Sequence, residues 1–284
     1  MFETSKNLDK TEIFHDALIQ HGPLSNRIYL MNLKEAEPSR LTAAMDELAE
    51  NKGYTKIFAK IPASQASSFI ESGYHKEAEV PGFYNGSQAA LFLGKFLKSE
   101  RKKEESPDTM QKTLDLAQAK SVRYTEPAAL PDEWVIRKCL PKDAEVMSGI
   151  YKEVFLSYPF PIDKPEFILY SMEQNLLYFG IEVDGKLVSL ASAEMNLESG
   201  YAEMTDFATL QTFRGNGFAS ILLGCMENEM RNNGIKTAYT IARAVSPAMN
   251  ITFSKAGYIF GGRLVNNTNI AGKIESMNIW YKKL

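Results

Sequence analysis

The stretch YAEMTDFATLQTFRGNGFASILLGCM, residues 201–226, constrains the fold more than any other part of the chain. Its first ten residues read as a strand, whereas Phe218, Ile221, Leu222, Cys225, Met226 and Met230 recur at the spacing of one helical face. Arg214, Gly215, Asn216 and Gly217 occupy the join. A helix starting there presents unpaired N–H groups and the positive end of its dipole, and glycines let a phosphate reach the backbone. Arg214, Gly215, Asn216, Gly217, Phe218 and Ala219 are therefore candidates for holding a pyrophosphate. Alone the signal is weak, because ordinary turns use Gly-x-Gly and the third glycine of a dinucleotide fingerprint is missing.

The flanking segments extend the pattern. WVIRKC reads as a strand, and Pro141 and Asp143 open a helix along which Ala144, Met147, Ile150, Tyr151 and Phe155 recur. LYFGIEV and KLVSLASAEM flank Asp184-Gly185, a hairpin signal. After Gly234 come a strand TAYTIARA, a short helix PAMNITFSKAGY, and two strands, IFGGRL and SMNIWYKK. This order predicts a mixed α/β (α+β) domain over residues 132–284. Residues 1–98 echo its closing part: DELAENKGYTKIFAKI (46–61) resembles ENEMRNNGIKTAYTIA (227–242) at an offset of 181, and SFIESGYHKEAEV (68–80) resembles TFSKAGYIFGGRL (252–264) at 184. ALFLGKFL likewise answers SMNIWYKKL. The N-terminal domain is thus expected to be a smaller, degenerate half-copy of the second. Residues 99–131, charged and then Pro-containing, are expected to be the linker. Where the second copy has glycines the first reads EAEPSRLTAAM, so no ligand is expected at that loop.

Composition narrows the function. A formal charge of −3 with acidic and basic residues interspersed gives neither a nucleic-acid footprint nor a polybasic membrane patch. Cys139 and Cys225 form no disulfide framework, and His15, His21 and His75 stand apart with no second ligand at metal spacing. The polar start MFETSKNLDK has no secretory pattern. The expectation is a cytoplasmic protein with small-molecule partners and no metal, its 284 residues making about two domains.

RGNGFA resembles the R-x-x-G-x-A loop of the GNAT superfamily of N-acetyltransferases, which binds the pyrophosphate of acetyl-CoA. WVIRKCLPKDAEVMSGIYKEVF resembles that superfamily's first strand and helix, DFATLQTFRGNGFASILL its fourth strand, loop and third helix, and SPAMNITFSKAGY its fifth-strand exit and fourth helix. The resemblance implies a GNAT fold around a central mixed, twisted sheet and acetyl-CoA as co-substrate. It further implies that the exposed backbone of Phe207, Ala208 and Thr209 pairs with the pantetheine arm and directs an N–H at the thioester oxygen. Ser246 or Asn250 would bond the pantetheine amides, a plain helix cap being the competing reading for Ser246.

Acetyl transfer to an alkyl amine needs a base. With an amine pKa near ~10.4, only about one molecule in ~10³ is neutral at pH 7, a preparation costing roughly 4–5 kcal/mol. Glu203, four residues before Phe207, resembles the position of the carboxylate base in some members, and Asp206 is the alternative. Strand side chains alternate, so the two face opposite sides unless a bulge intervenes. Phe253 stands where many members carry the tyrosine that protonates the leaving thiolate. A thiol of pKa ~8.5 leaves tolerably with water or another hydroxyl as acid.

Over nearly its whole length the chain resembles the beta-lysine N6-acetyltransferases, through GYTKIFAKIPA, GFYNG and AEMTDFATL. The resemblance implies acetylation of the terminal amine of beta-lysine to N6-acetyl-beta-lysine, a compatible solute accumulated under salt stress. Such a substrate needs an anion reader, a contact for its retained ammonium and an apolar channel. Tyr158, Phe160 and Asp163 in FLSYPFPIDKPEF, Tyr84 in PGFYNG, and Arg243 are the acceptor candidates. Core packing competes for the aromatics, and a surface or CoA-phosphate contact competes for Arg243. Other amines (a polyamine, lysine or a protein lysine) and a non-catalytic acetyl-CoA sensor are the alternatives, separated by turnover. The N-terminal domain is left with three roles: completing the fold, covering the acceptor site or forming a homodimer contact.

Overall fold

The computed structural model describes residues 9–121, 131 and 133–284. Its N-terminal half runs β1 (Lys10–Phe14), β2 (Ala17–Gly22), β3 (Arg27–Asn32), α1 (Pro38–Lys52), β4 (Lys56–Pro62), α2 (Ala66–Glu71), β5 (His75–Tyr84) and β6 (Gln88–Phe96). Next comes α3 (Pro107–Gln118), then β7 (Trp134–Lys138), α4 (Ala144–Val154), α5 (Pro165–Glu173), β8 (Leu176–Val183), β9 (Lys186–Asn196) and β10 (Tyr201–Thr209). The chain closes with α6 (Phe218–Asn232), β11 (Thr237–Arg243), α7 (Pro247–Lys255), β12 (Ile259–Ile270) and β13 (Lys273–Lys283). Local chemistry sets the helix ends. Glu37 accepts from the N–H groups of Ser39 and Arg40 at the start of α1, and Gly53 closes that helix at φ 70°.

The thirteen strands form one sheet, in the order β1-β2-β3-β4-β6-β5-β12-β13-β11-β10-β9-β8-β7. The order reads the same way outward from the β5–β12 contact. On one side β3 and β4 are parallel and β4–β6 and β6–β5 antiparallel; on the other β10 and β11 are parallel and β11–β13 and β13–β12 antiparallel. Helices α1 and α6 join the two parallel pairs. The halves meet edge to edge at Gly262↔Ala78. Gly262 has φ +141°, and a Cβ there would lie 2.3 Å from Glu77 O, so glycine is what lets the two backbones approach.

Helices α1 and α6 cover the outer faces, α1 over β3 and β4 and α6 over β8, β9 and β10, whereas α4 packs on Tyr178 and Leu190 on the opposite face of β8–β10. The inner faces share one core, in which Tyr29, Phe58, Phe83 and Phe92 pack with Tyr201, Tyr239 and Ile279. Two sequence expectations are corrected. Residues 99–118 are folded against both halves: Arg101 is buried and donates to Ser25 O, Thr55 Oγ1 and Asn266 O, while α3 buries Leu114 and Ala117 in the core beneath α6 and α7. Most of the Pro-containing end of the expected linker falls at 122–130, outside the described residues. Helix α5, begun by Pro165, is an element that the order expected from the sequence omits. No described helix is long and apolar enough to cross a membrane.

Candidate active site

β10 organises the site by parting from its neighbour. It pairs with β11 only through Tyr201↔Thr237, Ala202↔Ala238 and Glu203↔Tyr239. On its other edge the register with β9 shifts between Thr205 and Ala208, and Asp206 sits at φ +56°. This bulge ends the alternation and leaves Phe207, Ala208 and Thr209 beside an open wedge that strand β11 does not fill. A wedge between parallel strands offers unpaired backbone N–H and C=O groups to an extended, amide-bearing arm.

At the wedge's mouth lies the glycine loop. Gly215 and Gly217 have φ +89° and +77°, with nothing within 4 Å of where a Cβ would stand. Gly217 is the N-cap of α6 and uses no side-chain cap, so the first N–H groups of this 15-residue helix face outward. Arg214 is exposed and donates to Thr209 O at 3.2 Å, and Asn216 donates to Phe213 O at 3.0 Å. Phe218 anchors the turn by burying its ring edge-on to Trp134, 4.7 Å between centroids, and Ala219 is half-buried behind it. Ser246, the N-cap residue of α7, makes no capping bond with its side chain. Asn250 is corrected: its amide donates to Arg243 O and Ser246 O and accepts from Asn278 and Trp280, which leaves it nothing for a ligand.

Glu203 and Asp206 lie on one face because of the bulge. Asp206 accepts from Tyr158 Oη at 2.5 Å and from Ser192 Oγ, and burial raises its carboxyl. Glu203 is partly exposed, accepts from Tyr239 Oη at 2.7 Å and lies opposite Glu194 in the β9–β10 register. Burial, helped by the like charge of Glu194, pushes Glu203 up to about 7 against the opposing pull of Lys60 and the Tyr239 hydroxyl. A carboxylate poised there exchanges protons readily near neutral pH.

The acceptor candidates divide. Tyr158 reaches Asp206, and Tyr84 packs on Tyr201 at 5.9 Å between centroids. Phe160 stacks on Phe167 at 6.2 Å instead, and Asp163 pairs with its neighbour Lys164 at the surface. Arg243 is corrected as a clamp, because Glu275 binds it through both oxygens at 2.7 and 2.8 Å. Phe253 is buried edge-on to Phe207, 5.6 Å away, and carries no proton to give.

Two cations from the N-terminal half were missed. Lys60 on β4, 7% exposed, lies 3.1 Å from Tyr239 Oη. Arg27 on β3, 4% exposed, donates to Thr268 Oγ1 at 3.1 Å and packs over Tyr29. Its Nε has no partner among the described residues, and burial pulls the guanidinium down to about 10, still cationic at neutral pH. Asn267 Oδ1 is likewise buried without a partner, and the Asn267 amide is 3.5 Å from the same Thr268 hydroxyl. The signal in the sequence was a lysine at every fourth position of an otherwise apolar strand, Lys56 and Lys60 flanking Phe58 on one face.

The profile of the Acetyltransferase (GNAT) family matches residues 147–258. The chain is 37% identical over 275 residues to the beta-lysine N(6)-acetyltransferase of Methanococcus maripaludis, covering 97% of this chain and 99% of that protein. It is 31% identical over 262 residues to the protein of the same description from Methanosarcina mazei, covering 86% and 97%. To N-acetyltransferase YodP of Bacillus subtilis it is 33% identical over 278 residues, covering 94% and 96%.

Proposed function

The chain belongs to the beta-lysine N6-acetyltransferases of the GNAT superfamily, and from that premise we propose how its residues carry the reaction. It transfers acetyl to the N6 amine of beta-lysine. Acetyl-CoA is the donor in this reading. Its pyrophosphate rests on the α6 N-terminus at Gly215, Gly217 and Arg214, and its pantetheine arm enters the wedge beside Phe207, Ala208 and Thr209. Open space at both glycines and the helix's uncapped start support this fit. Ser246 is the remaining side-chain partner for the arm.

Glu203 takes a proton from the N6 ammonium. The neutral nitrogen then attacks the thioester carbon, and the Phe207 N–H stabilises the negative charge that develops on the carbonyl oxygen. The C–N bond forms and the C–S bond breaks; the nitrogen's second proton reaches the departing thiolate through water, and Glu203 returns its own to solvent. Asp206 holds the bulge that aims the Phe207 N–H. For the head group, Arg27 is the reader of the carboxylate and Asn267 Oδ1 of the retained ammonium, two unpartnered buried groups of opposite character meeting at Thr268. We read residues 1–98 as a degenerate half-copy of the second domain that covers the acceptor side, which the palindromic strand order and the shared aromatic core support. The product, in this reading, is a compatible solute.

The observation that carries the mechanism is the three-pair β10–β11 contact ending at Glu203, with the bulge directly beyond it. The test is thiol release from acetyl-CoA with beta-lysine, alpha-lysine, spermidine or a lysine peptide, with the product mass determined. One acetyl gained at N6 of beta-lysine, with spermidine poorly used for want of a carboxylate, is the expected result. Preference for another amine would move the acceptor assignment, and acetyl-CoA binding without release for any amine would make the protein a sensor. Glu203→Gln should lower kcat/KM by roughly 10²–10⁴, the loss shrinking as pH rises and more amine is already neutral. Since Glu203 is the proton acceptor only when ionised, wild-type kcat/KM should fall as pH drops through about 7.

A further inference from the structure

The base does not stand alone on its own half of the molecule. Lys60 comes from β4, across the shared aromatic core, and its Nζ lies 5.1, 5.4 and 5.9 Å from the ring centroids of Tyr201, Tyr239 and Phe83. No carboxylate forms an ion pair with it among the described residues; its hydrogen-bond partner is Tyr239 Oη at 3.1 Å. An ammonium only donates, so the tyrosine oxygen accepts from Lys60 and its own proton points to Glu203 Oε2, 2.7 Å away. We propose that Lys60 is a positioning residue for acetyl transfer: it fixes the Tyr239 hydroxyl on Glu203 and holds that carboxylate ionised, so the N-terminal half takes part in the chemistry.

This inference rests on Glu203 being the base. The groups facing Glu203 act in both directions. Glu194 from β9 and Asp206 from β10 favour its protonated form, whereas Lys60 from β4 and Tyr239 from β11 favour the ionised one. Tyr29 from β3, Tyr84 from β5 and Tyr158 beyond α4 face the same cluster as phenols that burial keeps protonated. A fixed cation beside the site also disfavours the acceptor's ammonium relative to its neutral amine, which works with the base rather than against it. The face bearing Lys60 is set by strand alternation, with Phe58 in the shared core and Ile57, Ala59 and Ile61 turned to the core under α1.

The test is the pH profile of kcat/KM with the best amine of the panel, for the wild type and for Lys60→Met, Lys60→Arg, Tyr239→Phe and Glu194→Gln. Thermal melting and acetyl-CoA affinity serve as controls. An opposite charge at this range moves a carboxyl by about one unit or more. Lys60→Met should therefore shift the acid limb upward by about one unit, lowering kcat/KM about tenfold at pH 6 and less than about twofold at pH 9. Lys60→Arg should restore the limb, Tyr239→Phe should move it the same way as Lys60→Met, and Glu194→Gln should move it down. A loss equal at every pH with the limb unmoved, or no change, overturns the proposal. Should Lys60→Met not fold, the opposite shifts of Tyr239→Phe and Glu194→Gln decide it, and a limb that stays put in both overturns it. A limb that persists in Glu203→Gln removes the base assignment itself; a limb absent there and unmoved in Lys60→Met removes only the role of Lys60.

Discussion

Asp206 shows how one residue shapes the path of a strand. Its left-handed backbone, φ +56°, costs a non-glycine residue about 1–2 kcal/mol, and bonds from Ser192, Tyr158 and Thr205 to its carboxylate offset that. The bulge it holds brings its carboxylate to the face that carries Glu203 and shifts Phe207 out of the strand's alternation. Asp206→Ala should destabilise by roughly 2–4 kcal/mol, since it leaves the Ser192 and Tyr158 hydroxyls unpaired. Asp206→Asn, which tolerates this backbone, should cost less. Denaturant midpoints measure the difference, and equal costs for the two substitutions would show that the carboxylate's bonds, rather than the backbone, dominate. Asn250 and Arg243 teach the complementary point. Both have the right chemistry for a ligand, and both are committed elsewhere, Asn250 to Asn278 and Trp280, Arg243 to Glu275.

At the scale of elements, two glycines serve opposite ends. Gly217 opens α6 in free space, so Gly217→Ala should bear only the left-handed strain of about 1 kcal/mol while weakening acetyl-CoA binding through the added methyl. Gly262 is pressed against β5, where a Cβ would meet Glu77 O at 2.3 Å and Ala78 Cα at 2.6 Å. Those are backbone atoms that move only if β5 and β12 separate. Gly262→Ala should therefore lower the melting temperature well beyond Gly217→Ala and leave acetyl-CoA affinity the less affected of the two, as calorimetry and a binding titration would show. The reverse ranking would mean that the junction relaxes freely.

For the whole molecule, the common aromatic core makes the two halves one cooperative unit. Phe83, from the N-terminal half, contacts Tyr201 at 4.2 Å and Tyr239 at 5.0 Å between centroids. Phe83→Ala should cost about 3–5 kcal/mol and shift one thermal transition rather than split it; two separated transitions would show that the halves fold independently. The sequence by itself determined what is local: the strand that ends at RGNGFA, the helix beyond it and the Asp184-Gly185 hairpin follow from period and turn chemistry within a few residues, whereas the carboxylates at 203 and 206 stood out through the family resemblance. It marked the bulge only as a condition on how Glu203 and Asp206 point. Tertiary structure alone decided that both lie on one face of the strand, that α3 packs rather than links, and that Lys60 reaches Tyr239 from 179 residues away. Those outcomes depend on which faces of distant strands meet and on which polar groups are left unpaired when they do, and neither is written in the spacing of neighbouring residues.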